Sequence, residues 1–397
     1  MRPRDPQSLF RLFLLWLAGN DLRITILALP PVLPLIHRDL ELSETAVAAL
    51  TALPVLLLAI AAIPGSLLIA RLGPRRALIA GLVLVAVASA LRGLGPSRPM
   101  LFAMTFLMGA GVSVMQPALP SLLSRWFPGA AAMATAVYAN GLLIGETLAA
   151  GFTIALVVPL AGGSWSVTLA LWAVPVALTA ALIAALTPEE GHGGGGGLLR
   201  WWPNWRDPFV WRVGLMQSGC GTIYFGANAF IPDYLHAIGR GDLTGLCLGV
   251  LNAGQLPASF LILLFARRLA GRKQPVVVVG LAAFLGLAGL LSQVPALMIL
   301  GAGLDGFAAG FILILTLALP PLLASPSDVH RLSAGSYTVG YGGSFLLPLL
   351  GGAAADITGI AATSFLPVAV GGVLVLLIAA TMPSRSRAAG QSVLRSE

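Results

Sequence analysis

The sequence predicts an all-α membrane protein of twelve transmembrane helices in two pseudo-symmetric six-helix bundles. Three observations carry that expectation: solid apolar runs long enough to cross a bilayer, basic residues gathered in alternate loops, and a repeat about 200 residues long. Composition agrees, since 57% of the 397 residues are hydrophobic and 10% charged, where a soluble domain carries about 25% charged residues.

Breaks at Gly, Pro and charged clusters place the first six spans at about 10–35, 45–70, 76–94, 99–124, 132–160 and 164–186. The second six fall at about 209–236, 243–267, 275–292, 295–323, 332–354 and 362–382. At ~1.5 Å per residue, eighteen or more apolar residues cover a ~30 Å hydrocarbon core. A β-barrel would instead show ~10-residue alternating segments. The first run continues to Ile36 without a small-residue cleavage site, so it reads as a retained helix rather than a signal peptide.

The stretch "TPEEGHGGGGGLLRWWPNWRDP" divides the halves, giving a first bundle over 1–187, a cytoplasmic linker over 188–208, a second bundle over 209–384 and a tail over 385–397. Gly193 to Gly197 have no following Lys-Ser/Thr, so they read as a flexible linker and not a phosphate cradle. Trp201, Trp202 and Trp205 beside Arg200 and Arg206 read as an interfacial anchor for the start of span seven. The halves echo each other: "ALPSLLS" at 118–124 returns as "ALPPLLA" at 318–324, "ARLGPRR" after span two as "ARRLAGRK" after span eight, and Gly19 and Pro30 as Gly221 and Pro232. A parallel duplication of six helices is the arrangement of transporters that rock one bundle against the other.

Most basic residues fall on the side of both termini, and only Arg38, Arg92, Arg98 and Arg240 fall opposite, so both ends are expected in the cytoplasm. The net charge of +8 therefore reflects membrane orientation, not nucleic-acid binding. The expected partners are membrane lipid, a small solute and, where coupling operates, protons, with the chain a monomer and without a cofactor. Cys220 and Cys247 lie within spans and read as small buried hydrophobes. His37, His192, His236 and His330 fall at span ends or in loops, without the spacing of a metal site.

These features resemble the major facilitator superfamily. The loop "SLLIARLGPRR" resembles its Gly-x-x-x-Asp-Arg-x-Gly-Arg-Arg signature, with Arg71, Gly73 and Arg75 in place but Ser66, Ala70 and Pro74 departing from it. A narrower similarity is to the cyanate and 2-nitroimidazole permease family. It rests on Asn20 and Arg23, "TALPVLLLAI", Arg92, "GVSVMQPALPSLLSRWF", "MQS" at 216–218 with Tyr224 and Pro232, "VGYGGSFLLPLLGG" and "DITG" at 356–359. The resemblance implies the major facilitator fold and a transporter in the cell's inner membrane that moves small, often anionic or weakly polar solutes without covalent chemistry.

A charge at the bilayer midplane costs from ~3 to ~15 kcal/mol, so it persists only facing a cavity or a partner. Arg23, Glu146, Asp305 and Asp21 meet that criterion. Arg23 and Asn20 share a helical face, and a guanidinium suits a carboxylate-like anion. Two readings stand for Arg23: solute contact, or a structural pair with Glu146 or Asp21. Two stand for Glu146 as well: a proton-coupling switch, or a static partner of Arg23. Asp305 reads as a packing or gate hydrogen bond ahead of solute contact, though the family pattern has no acid at either place. Gln116, Asn140, Gln217, Tyr224, Asn228, Asn252, Gln255 and Tyr341 add polar groups to an otherwise apolar wall. The leading expectation is a secondary transporter working by alternating access. A drug or nitroaromatic exporter with a promiscuous apolar pocket is the nearest rival. An intramembrane enzyme lacks a convergent catalytic constellation, and a passive channel fits the duplicated halves poorly.

Overall fold

The computed structural model describes residues 6–93, 97–188 and 200–381. Each predicted span coincides with a helix or a once-broken helix. In the first half these are α1 (Pro6–Leu27 continued by Leu29–Leu40), α2 (Glu44–Ile60 and Ala62–Leu72), α3 (Pro74–Gly93) and α4 (Arg98–Trp126). Next come α5, Ala131–Phe152 prolonged through a π-helical turn at Thr153–Val157 to Leu160, and α6, Trp165–Leu171 with Ala173–Leu186. The second half holds α7 (Pro208–Ala237), α8 (Thr244–Leu269), α9 (Lys273–Leu291), α10 (Pro295–Leu317 and Leu319–Leu323), α11 (Val329–Thr358) and α12 (Leu366–Thr381).

Among the described residues nine helices are long and apolar enough to cross a membrane, and α2, bent by 51°, makes a tenth. The remaining two, α7 and α11, have 30 residues each and so reach ~45 Å. They fall short in apolarity because of residues such as Gln217, Ser218, Asn228 and Asp233 in α7 and Ser333, Ser336 and Ser344 in α11. The five-glycine run and the C-terminal tail lie outside the described residues.

Local chemistry sets the helix ends. Ser43, Ser97 and Ser164 accept the amides of Ala46, Met100 and Val167, and Asp207 accepts that of Phe209, each satisfying a donor that the first turn leaves open. The break in α1 precedes Pro30 and Pro31, which carry no amide hydrogen to continue the ladder. Between α2 and α3, Gly73 turns the chain with φ of 80°.

The chain forms two compact units, one of Met1–Asn204 with Ser325–Ala334, the other of Trp205–Ala324 with Gly335–Glu397. Small residues bring the helices of each unit together. In the first, a Cβ on Gly19 would meet the Tyr138 backbone, joining α1 to α5, and Gly81 and Gly111 face each other across α3 and α4. In the second, Gly219 and Gly371 join α7 to α12, and Gly286, Gly289 and Gly301 join α9 to α10. Gly221, the counterpart of Gly19, packs on Ser344.

Candidate functional site

In the first unit the polar residues of α1 divide between two neighbours. Asn20 looks toward α5: its Nδ2 donates to the Trp16 carbonyl at 2.9 Å, and its Cα would stand 2.7 Å from a Cβ on Gly145. The Trp16 indole donates to Asn140 Oδ1 at 3.0 Å, so Trp16 links Asn20 and Asn140 within one helix seam. Arg23, three residues on from Asn20, shares that face, and Glu146 follows Gly145; both are buried. Asp21, ~100° around α1 from Asn20, lies within hydrogen-bond reach of the Thr179 hydroxyl of α6. Gln116 is buried in α4.

The second unit holds a connected trio. Tyr224 Oη donates to Asn252 Oδ1 at 2.6 Å, Asn252 Nδ2 donates to Asn228 Oδ1 at 3.1 Å, and Asn228 Nδ2 donates to the Tyr224 carbonyl at 2.9 Å. All three are half-buried. Gln217 packs on Gly340 with neither end of its amide hydrogen-bonded, Gln255 packs on Gly310, and the Tyr341 ring lies 6.1 Å from that of Tyr337. Asp305 is 0% exposed, deep between α9 and α10 against Gly286, with no donor facing either oxygen.

Of the loop motif, Arg71 is exposed while Arg75 is buried at the end of α6. Arg75 donates Nε to Thr187 Oγ1 at 2.7 Å and Nη2 to the Ala184 carbonyl at 2.7 Å, closing the helix C-terminus with a cation. Ser66, in the place of the family's first glycine, donates to the Trp201 carbonyl at 2.7 Å. His330 Nε2 bonds the Arg200 carbonyl at 3.1 Å and Arg331 Nε donates to the Trp202 carbonyl at 3.0 Å, so three consecutive backbone carbonyls are held by side chains. Burial pushes His330 below its ordinary 6.5, with Arg331 and Arg125 adding to the shift against the opposing pull of the Arg200 carbonyl and Asp328. Burial raises Asp328, but hydrogen bonds from Arg331 and Ser325 outweigh it and hold the carboxyl below the usual range.

Arg92, within the predicted third span, is a buried residue in the last turn of α3, 1% exposed. The α1 carbonyl that it reaches, that of Thr25, leaves no mark in the chain around it.

Comparison with known proteins gives a consistent result. The model of the Major Facilitator Superfamily matches residues 12–291. The cyanate transport protein CynX of Escherichia coli (strain K12) is 28% identical over 355 residues, covering 88% of this chain and 90% of that protein. A 2-nitroimidazole transporter of the same organism is 30% identical over 329 residues, with 81% and 82% covered. Among solved structures, the transporter FucP in its outward conformation aligns with a TM-score of 0.74 at 15% identity, over 95% of this chain and 99% of that one.

Proposed function

We propose that this chain, which belongs to the Major Facilitator Superfamily, moves a small polar or anionic solute across the cytoplasmic membrane by alternating access. Arg23 carries the reading: a buried guanidinium in the first helix, beside a seam of amides, in a chain similar to a cyanate transporter. A guanidinium is charged at any physiological pH and presents a planar fork of donors, which suits a carboxylate-like or linear anion. The Trp16–Asn140 hydrogen bond holds α1 against α5 and so sets where Arg23 points. Glu146, Asp21 and Asp305 are the coupling or gating carboxyls, with Glu146 as the proton-coupling switch. Both termini lie in the cytoplasm, the chain works as a monomer, and its chemistry is transport and not catalysis.

A second reading takes a neutral nitroaromatic as the solute and export as the direction. Its support is the similarity to a 2-nitroimidazole transporter and the trio of Tyr224, Asn228 and Asn252, whose hydroxyl and amides suit a nitro group or an imidazole nitrogen.

A thermal-shift screen of small anions, amides and nitroaromatics separates the two. A ligand that binds only the folded protein stabilises it by ~2.7 kcal/mol at 100 times its Kd. The expected result is a shift with a small anion that Arg23→Gln removes without altering the unliganded melting curve. Wild-type affinity in Arg23→Gln overturns the anion reading, and a shift with nitroaromatics alone supports the second. Repeating the screen between pH 5 and 8, with Glu146→Gln beside the wild type, tests proton coupling.

A further inference from the structure

Three arginines of the first unit meet helix C-termini, and they differ in how completely their donors are used. Arg75 spends Nε and Nη2 on the end of α6, and Arg98 spends Nε and Nη2 on the Leu40 and Glu41 carbonyls at the end of α1. Arg92 uses Nη2 alone, donating to the Thr25 carbonyl at 3.0 Å and to Ser89 Oγ at 3.2 Å, beside the break in α1. Its Nε and Nη1 are buried and meet no acceptor. The residue whose carbonyl it meets carries a further unused group: the Thr25 hydroxyl, 0% exposed, makes no hydrogen bond.

The charge is as unbalanced as the hydrogen bonding. No carboxylate of the described residues makes an ion pair with Arg92. The broken end of α1 offers roughly half a negative charge through its carbonyls, which leaves a buried guanidinium short of a matched pair. A buried cation with two idle donors next to an idle hydroxyl asks for one negative, acceptor-only partner.

We propose that Arg92 and the Thr25 hydroxyl bind one small monovalent anion of about halide size, resident in the first unit and distinct from the transported solute. Thr25 lies two residues beyond Arg23, ~200° around the helix, so the anion sits on the opposite side of α1 from the Arg23 face. It completes the clamp that joins α3 to the end of the first segment of α1, so occupancy there steadies the helix that carries Arg23.

The test uses purified full-length protein exchanged from sodium gluconate to sodium bromide at constant ionic strength. A saturable rise in Tm is expected in the wild type and in Arg23→Gln, and its loss in Arg92→Gln. Thr25→Val removes one donor and is expected to weaken the bromide Kd about tenfold, the worth of one hydrogen bond to a charge. In crystals grown in bromide, anomalous density is expected within hydrogen-bonding distance of Arg92 Nε or Nη1. A full bromide response in Arg92→Gln, or density only beside Arg23, overturns the proposal. If Arg92→Gln does not fold, Thr25→Val decides, and unchanged affinity there overturns it.

Discussion

Gly145 of α5 lies directly on the backbone of Asn20 in α1, so close that a methyl group at residue 145 would meet the Asn20 Cα at 2.7 Å and run into its carbonyl. Backbone cannot swing aside as a flexible side chain can. Gly145→Ala is therefore expected to part α1 from α5, destabilise the protein by ~1–3 kcal/mol and weaken solute binding by displacing Arg23. Gly151, six residues along the same helix, has nothing within 4 Å of an added Cβ, and Gly151→Ala is expected to change stability by less than ~1 kcal/mol. Thermal unfolding of both variants checks the pair, and equal losses would mean that the helix tolerates separation at Asn20.

The Tyr224, Asn252 and Asn228 trio makes a second expectation. Tyr224→Phe removes the hydroxyl that Asn252 Oδ1 accepts at 2.6 Å and leaves that oxygen without its phenol. Interhelical hydrogen bonds in membranes are worth ~0.6 kcal/mol on average and up to ~1.7 kcal/mol, so the stability loss should be small. A solute-binding role predicts in addition a Kd weakened about tenfold for whichever ligand the screen finds. A stability loss with unchanged Kd would confine the trio to holding α7 against α8.

The helices were legible because an apolar run is a local property: α9 and α12 are read from their own residues. Arg23 was legible too, since a charge inside such a run has no other explanation than a cavity or a partner. Gly141 and Gly145 have the four-residue spacing of small residues that suits close helix approach, although nothing in it names their opposite numbers, Trp16 and Asn20. The contact of Arg92 was not legible because it is made to a carbonyl 67 residues away, and the three held carbonyls at Arg200, Trp201 and Trp202 depend on Ser66, His330 and Arg331 in the same way. Contacts made to backbone carry no residue code on the accepting side, so a sequence cannot announce them.

Asp305 and Gly286 form a matched pair of volumes. The carboxyl occupies the room that a side chain at residue 286 would need, and neither of its oxygens meets a donor. Asp305→Ala removes two unsatisfied acceptors and is expected to be neutral or stabilising by ~1 kcal/mol, while Gly286→Ala drives a methyl into the carboxyl and destabilises by ~1–3 kcal/mol. The double variant should recover much of that loss, giving a coupling energy that a double-mutant cycle measures. Loss of uphill transport in the stable Asp305→Ala protein, with exchange of solute retained, would assign the carboxyl to coupling; unaltered uphill transport would leave it no part in coupling.

His330 makes the stability of the first unit depend on pH in a definite direction. Its folded-state pKa lies below the ordinary 6.5 because burial disfavours the cation, so between those two values the unfolded chain binds more protons than the folded one. The stabilisation is fully present above 6.5 and is lost as pH falls through the unfolded value toward the folded one. Asp328, the facing acid, is shifted downward and contributes stability above its ordinary 3.8, which is lost only in stronger acid. It therefore does not mask the histidine between pH 5.5 and 7.5. The melting temperature of the wild type should fall as pH drops from 7.5 to 5.5, and His330→Gln, which keeps a donor for the Arg200 carbonyl and cannot titrate, should flatten that slope. An equal slope in the variant would assign the pH dependence to other groups.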